Sequence, residues 1–168
     1  PLVEKCVTVD GSAVRVPQNV IAPIGTPVSA LLDFCGLTSE PKKILFGGPM
    51  MGVAVADPDA PILKNVNAAL ALDERDAELP EQTACIRCGR CVEICPMDLS
   101  PVQIEFAYML GRADLLDKYK VNLCIECGSC AYVCPARRRL VQVMKLSKPI
   151  LKKYRDQKKA AEKEASRT

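Results

Sequence analysis

Residues 85–96 read CIRCGRCVEICP, and residues 124–135 read CIECGSCAYVCP. Each stretch contains three cysteines separated by two residues, then a fourth after three residues, with a proline directly behind it. The first run consists of Cys85, Cys88, Cys91 and Cys95, and the second of Cys124, Cys127, Cys130 and Cys134. This spacing is typical of two-cluster iron–sulfur proteins, in which the fourth cysteine of one run binds the cluster of the other run. The sequence therefore predicts two [4Fe–4S] clusters.

We expect the fourth cysteines to be exchanged between the runs. The first cluster would be bound by Cys85, Cys88, Cys91 and Cys134, and the second by Cys124, Cys127, Cys130 and Cys95. Because each set needs a cysteine from the other run, the clusters would lie close together and the fold would depend on their assembly. Apolar residues beside the ligands should shield the clusters from water, which helps to set their potentials. These residues are Ile86, Ile94, Ile125 and Val133.

Disulfides and zinc are the other uses of ten cysteines that we weigh. Disulfides are typical of small secreted proteins, but the first 20 residues contain no signal-peptide pattern. Structural zinc sites use paired C-x-x-C motifs separated by about a dozen or more residues. The sequence contains no histidine, which excludes Cys/His zinc fingers and the most common general base. Cys6 and Cys35 stand alone and are expected to be small buried hydrophobic residues.

The second half of the chain contains an internal repeat. Residues 85–104 aligned on residues 124–143, an offset of 39, give nine identities in twenty positions. Each repeat predicts a cysteine loop followed by a helix. In the first repeat Ser100 and Gln103 form a capping-box pattern, and Gly111 should end the helix. A further helix is expected over 112–119, and another over 140–147 that Pro149 should interrupt before a charged helix.

The first 72 residues predict a small α+β domain. Strands are expected at 3–9, 13–16, 43–46, 53–56 and 68–72. A helix is expected over 27–35, with Thr26 as its N-cap and Gly36 at its end. Its apolar residues recur three and four apart and should face the sheet; they are Val28, Leu31, Leu32 and Cys35.

The charge distribution separates a linker and a basic C-terminus. Residues 73–83 (DERDAELPEQT) are charged and contain Pro80, so we expect a linker between domains at 1–72 and 84–148. Residues 149–168 should form a basic helix or tail. The net charge is +3, and the basic end of the chain indicates an acidic partner or a membrane surface, with a merely solvated helix as the alternative. No apolar run is long enough to span a membrane, and no nucleic-acid partner is expected.

Taken in order, several segments resemble the C subunit of Rnf-type ion-translocating ferredoxin:NAD oxidoreductase complexes. They are PLVEKCVTVDG at the start, APIGTPVSALLDFCG, FGGPMMGVAV, and the two cysteine stretches with their flanks. The resemblance implies that residues 1–72 form a β-grasp, soluble-ligand-binding domain, followed by a mainly helical dicluster ferredoxin domain. The family usually has a more apolar residue where Arg138 or Arg139 stands.

The resemblance also implies a function. Family members are peripheral subunits on the cytoplasmic side of the inner membrane, where they link NADH and ferredoxin chemistry to ion translocation. FMN and NADH would bind only on a domain upstream of this segment, which by itself would carry no substrate-converting site. We therefore expect an electron-transfer segment whose partners are other subunits of a membrane complex, with ferredoxin as a further candidate partner. The alternatives are an iron–sulfur segment of a soluble NADH-dependent oxidoreductase and a structural zinc-binding interaction module.

Overall fold

The computed structural model describes residues 1–165 and divides the chain into two compact units between Pro80 and Glu81. We call residues 1–80 the N-terminal unit and residues 81–165 the C-terminal unit. The N-terminal unit contains a sheet and two helices, and the C-terminal unit is helical. This composition confirms the predicted α+β class. The part of the predicted C-terminal helix or tail at 166–168 lies outside the described residues.

The N-terminal unit is a five-stranded mixed sheet covered by one helix. The strands are β1 (Glu4–Asp10), β2 (Gln18–Pro23), β3 (Lys43–Phe46), β4 (Val53–Val55) and β5 (Ala68–Leu72), in the order β2-β1-β5-β3-β4. Only the β1–β5 pairing is parallel. Helix α1 (Val28–Cys35) buries the four predicted residues of its apolar face in the same core as β1 and β5. A one-turn helix, α2 (Glu74–Ala77), lies within the segment expected to be a linker.

The predicted strand at 13–16 is wrong, and β2 takes its place. Ala13 and Val14 are buried, but in a loop: the Val14 amide bonds back to the carbonyl of Gly11, and Val14 forms only an isolated bridge with Leu37. The apolar pair therefore reflects a buried turn and not a strand. The predicted Thr26 cap is also wrong: its hydroxyl donates to the Pro23 carbonyl at 2.8 Å and accepts no amide of α1, whose N-cap residue is Pro27.

The C-terminal unit consists of five α-helices and a short 3-10 helix. The α-helices are α3 (Arg90–Glu93), α4 (Pro101–Met109), α5 (Ala113–Lys118), α6 (Ser129–Tyr132) and α7 (Leu140–Ala165), and the 3-10 helix spans Val121–Leu123. One core joins α4, α5 and α7 through Ile104, Leu116, Met144 and Leu151. Within the described residues, no helix combines the length and hydropathy needed to cross a bilayer.

Two sequence expectations about these helices are wrong. Helix α7 runs through Pro149 without interruption. A helix-interior proline costs about 3 kcal/mol, but each large apolar side chain that α7 buries contributes about 1.5–3 kcal/mol. Leu140, Met144 and Leu151 are each about 1% exposed, so their burial outweighs the lost hydrogen bond. The Ser100 capping box does not form, since that side chain makes no cap hydrogen bond and its carbonyl instead accepts the amides of Gln103 and Ile104.

Candidate metal centres

The backbone of the two cysteine loops repeats with the same 39-residue offset as the sequence. Arg87 and Glu126 have positive φ values of 55° and 58°, and Gly89 and Gly128 have 81° and 87°. The two glycines precede the short helices α3 and α6, which themselves lie 39 residues apart. A positive φ is readily accessible only to glycine, so the glycines between the second and third cysteines allow both loops to make the same turn.

Backbone amides in these loops point at cysteine sulfurs. The Arg87 amide donates to Cys85 Sγ at 3.4 Å, and the Glu126 amide, 39 residues later, donates to Cys124 Sγ at 3.3 Å. The Leu99 amide donates to Cys95 Sγ at 3.4 Å. Hydrogen bonds to a sulfur favour its thiolate form, which is the form that binds metal.

The eight cysteines line two cavities, and each cavity takes cysteines from both runs. The first cavity is lined by Cys85, Cys88, Cys91 and Cys134. The second cavity is lined by Cys124, Cys127, Cys130 and Cys95. The structure thus brings together the same two sets of four that the sequence predicts as ligand sets. Which sulfurs bind iron remains a prediction.

One set of contacts explains how a cysteine from the second run reaches the first cavity. The Thr83 amide donates to the Ala136 carbonyl at 3.1 Å, and the Arg139 amide donates to Gln82 Oε1 at 3.1 Å. These bonds join the segment just before Cys85 to the segment just after Cys134. Cys85, the first cysteine of the first run, and Cys134, the last cysteine of the second run, are therefore held side by side.

The thiols differ in their surroundings. Burial raises the pKa of Cys130 to about 12 and also raises the pKa values of Cys91 and Cys124. Helix α3, which contains Cys91 of the first cavity, contacts helix α6, which contains Cys130 of the second, so the two cavities are neighbours. The Ser129 hydroxyl lowers the pKa of Cys127. A metal that binds here would displace protons from these thiols, because coordinating cysteines are thiolates.

Only part of the predicted apolar shielding is present. Ile86 lines the first cavity and Ile125 the second, whereas Ile94 and Val133 line neither. Ile86 is 67% exposed and Ile125 is 53% exposed. Both cavities have further apolar walls: Leu99, Val141 and Met144 line the second, and Val102, Phe106, Met109 and Leu140 line the first. The cavities differ in their charged lining, which sequence periodicity did not indicate: Arg87, Arg90, Glu105 and Arg138 line the first, and Glu126 lines the second.

A buried ion pair at the first cavity was not predicted. Glu105 and Arg138 both line this cavity, and Arg138 Nη2 lies 2.8 Å from Glu105 Oε1. Arg138 also donates through Nε to the same oxygen at 2.9 Å and through Nη1 to the Thr83 carbonyl at 3.3 Å. In the sequence Arg138 follows the last cysteine, where an arginine is expected to raise a cluster potential, to meet an acidic partner or, as the simplest alternative, to be ordinary surface charge. The apolar residue usual in the resembling family was the available signal that this position lies inside the fold.

The remaining candidates have minor roles. Cys35 is buried as predicted, and Gln18 Nε2 donates to its sulfur at 3.6 Å, but Cys6 is exposed, so its predicted burial is wrong.

Among the described residues, no three Cys, Asp or Glu side chains are close enough to bind a single metal ion. Zinc–sulfur bonds of about 2.3 Å require such a close group, whereas a four-iron cluster spreads its four cysteine ligands over the corners of a larger unit.

The donor set fits such clusters. Each cavity offers four cysteines, the usual ligand set of a [4Fe–4S] cluster. No histidine exists in the sequence to replace a thiolate. Amides that already point at Cys85, Cys95 and Cys124 supply the hydrogen bonds that such sulfurs accept. The residues present therefore fit two [4Fe–4S] clusters better than mononuclear zinc.

Comparison with known families agrees with this assignment. Residues 84–138 match the 4Fe-4S dicluster domain family, and residues 6–54 match the SLBB domain family. The chain is 40% identical over 121 residues to the C subunit of the proton-translocating ferredoxin:NAD(+) oxidoreductase complex of Clostridium ljungdahlii, covering 71% of this chain and 26% of that protein.

Two other relatives are each named as the C subunit of an ion-translocating oxidoreductase complex. The Rhodobacter capsulatus protein is 42% identical over 124 residues, covering 73% of this chain and 24% of its own length. The Methanosarcina acetivorans protein is 44% identical over 149 residues, covering 88% and 33%. The chain thus spans about a quarter to a third of the length of these relatives.

Proposed function

This chain is a homologue of the C subunit of ion-translocating oxidoreductase complexes over its SLBB and dicluster portion, and we propose that it is an electron-conducting segment of such a complex. The observation that carries the proposal is the pair of neighbouring cavities, each lined by four cysteines drawn from both runs. When bound, two [4Fe–4S] clusters would supply reversible single-electron chemistry. The polypeptide would hold them at a fixed separation.

The proposed ligand sets follow the cavities. Cys85, Cys88, Cys91 and Cys134 would bind one cluster, and Cys124, Cys127, Cys130 and Cys95 would bind the other. Support comes from the amides that point at Cys85, Cys95 and Cys124. The cross-links between 82–83 and 136–139 also support the exchange, because they place Cys134 beside Cys85.

The wider role rests on the relatives. Their names describe complexes that move ions and, in Clostridium ljungdahlii, act on ferredoxin and NAD(+). We propose that this chain passes electrons to or from other subunits of such a complex, with ferredoxin as a candidate donor. We also propose that it lies peripherally at the cytoplasmic side of the membrane. The proposal assigns no nicotinamide or flavin site to these residues.

The test is the metal content of the anaerobically purified chain together with its electron paramagnetic resonance spectrum after dithionite reduction. We expect about eight iron and about eight acid-labile sulfide per chain. The spectrum should be broadened, because Cys91 and Cys130 belong to neighbouring cavities and two reduced clusters would interact. Zinc at about one or two per chain, with little sulfide and no reduced signal, would instead indicate a structural module.

A further inference from the structure

The internal repeat allows the two cavities to be compared position by position. Arg138 and Glu105 line the first cavity, and the positions 39 residues away hold Leu99 and Met144, which line the second. A buried ion pair on one side therefore corresponds to two apolar side chains on the other. Both Leu99 and Met144 belong to the core of the C-terminal unit.

Both members of the ion pair line the first cavity. The side chain of Glu105 is 7% exposed and that of Arg138 is 21% exposed, so water screens their fields only weakly. Arg138 lines this cavity together with Cys85 and Cys134, and its Nη1 donates to the carbonyl of Thr83, two residues before Cys85. The guanidinium therefore lies at the cavity that a cluster bound by these two cysteines would occupy, where its positive charge would stabilise added negative charge.

Two further pairs of equivalent positions add to the difference in charge between the cavities. Arg87 and Arg90 line the first cavity, whereas the equivalent residues in the second repeat are Glu126 and Ser129. The second cavity does have a nearby cation: Lys148 Nζ donates to the Cys124 carbonyl at 2.8 Å, but it also pairs with Glu126. Three arginines and one glutamate thus line the first cavity, and a balanced lysine–glutamate pair adjoins the second.

Exposure acts in the same direction. Cys85 and Cys88 of the first cavity are exposed, while all four cysteines of the second are only partly exposed. Reduction adds negative charge to a cluster, and both positive side chains and water stabilise that charge, whereas an apolar shell opposes it. The positive charge at the first cavity and its greater exposure to water therefore both favour reduction of the cluster bound there.

From this asymmetry we propose that Arg138, held in place by Glu105 and assisted by Arg87, gives the cluster bound by Cys85, Cys88, Cys91 and Cys134 the higher reduction potential of the two. The inference rests on the proposed function, since it needs both clusters to be present. It identifies the first cavity as the site where an electron resides when the chain holds only one.

The test is a potentiometric titration of the cluster-loaded chain, followed by electron paramagnetic resonance. The wild-type chain should show two separate potentials. The double variant Glu105→Met with Arg138→Leu gives the first cavity the residues of the second. It should lower the higher potential and leave the lower one nearly unchanged, so that the gap narrows.

Arg87→Glu provides an independent second variant. Arg87 is exposed, and Glu126 already adopts the same positive φ in the other repeat, so the substitution should not disturb folding. It should also lower the higher potential. Arg112→Glu is the matched control, because it makes the same charge change at an arginine of an exposed pair with Asp114 that lines neither cavity.

The outcomes separate the inference from the function on which it rests. Two reducible clusters of equal potential, or variants that lower only the lower potential or neither, would overturn the inference and leave electron transfer intact. If the double variant loses a cluster, the titration of Arg87→Glu decides whether the first cavity holds the cluster of higher potential. Failure of the wild-type chain to hold two reducible clusters would overturn the proposed function itself.

Discussion

Glu105 is an unusual residue in this chain because it carries a buried charge. Among the described residues, the only buried polar side chains are Glu105 and Ser147. A buried carboxylate is tolerated only when it is paired and hydrogen-bonded, and two bonds from Arg138 satisfy this requirement. Arg138 in turn reaches Thr83, so the pair also anchors the segment that leads into Cys85.

We expect Arg138→Ala to destabilise the cluster-loaded chain by about 3 kcal/mol, because it leaves the Glu105 carboxylate, whose side chain is only 7% exposed, without its partner. The midpoint of urea unfolding, followed by loss of cluster absorbance, measures the effect. Asp114→Ala is the control: it breaks the exposed pair with Arg112 and should leave the midpoint nearly unchanged. Equal midpoints for both variants would show that the buried pair does not stabilise the fold.

At the level of single residues, the sequence predicts chemistry better than it predicts hydrogen-bond partners. The cysteines were identified from spacing alone. Thr26 and Ser100 carried the usual N-cap residue types, yet neither side chain caps its helix. A hydroxyl can bond to several nearby backbone groups, and the surrounding chain decides which one it meets.

Helix α7 shows how packing can override a local signal. Pro149 is a strong reason to predict a break, but Leu140, Met144 and Leu151 recur at helical spacing and are all buried. Beyond that core, Arg155 Nε donates to Asp117 Oδ1 at 2.8 Å, and residues 156–163 are exposed. The helix therefore consists of a packed part up to residue 155 and an exposed part after it.

We expect a chain that ends after Asp156 to keep its full iron content, because it retains Leu151, Tyr154 and the Arg155–Asp117 pair. A chain that ends after Lys148 loses those contacts. Removing a buried large apolar side chain costs about 2–5 kcal/mol, so this shorter chain should lose iron or unfold at lower urea. Iron analysis of the two truncated chains measures the difference, and equal iron content and stability would contradict the assigned role of Leu151.

Strand β2 was missed for a related reason. In this edge strand Val20 and Ala22 face the core and Asn19 and Ile21 are exposed, but the apolar Ile21 hides this alternation in the sequence. Ala13 and Val14 are buried but lie in a turn. An apolar residue can be exposed in a strand, and a buried one can lie in a turn, so the hydrophobic pattern alone does not locate β2.

At the scale of the C-terminal unit, the duplicated sequence forms two similar cavities with unlike walls. The two sets of four cysteines could be predicted because their spacing is local and resembles known dicluster proteins. The asymmetry could not be predicted, because Glu105 and Arg138 lie 33 residues apart and only the fold brings them together. The internal repeat makes this asymmetry visible, because each residue of one repeat can be compared with the residue 39 positions away in the other.

The exchange of Cys95 and Cys134 is the central structural claim. If it is correct, Cys95 and Cys127 serve the same cluster, so the double variant Cys95→Ala with Cys127→Ala leaves the other set of four intact. A second double variant, Cys88→Ala with Cys95→Ala, removes one ligand from each set. The two variants lose the same number of cysteines and are matched controls for each other.

Iron and sulfide analysis with electron paramagnetic resonance of these two double variants tests the claim most directly. We predict about four iron and about four sulfide per chain, with the unbroadened spectrum of a single [4Fe–4S] cluster, for Cys95→Ala with Cys127→Ala. We predict no intact [4Fe–4S] cluster for Cys88→Ala with Cys95→Ala. The reverse pattern, with the single cluster surviving only in the second variant, would show that each run binds its own cluster and would contradict the exchange.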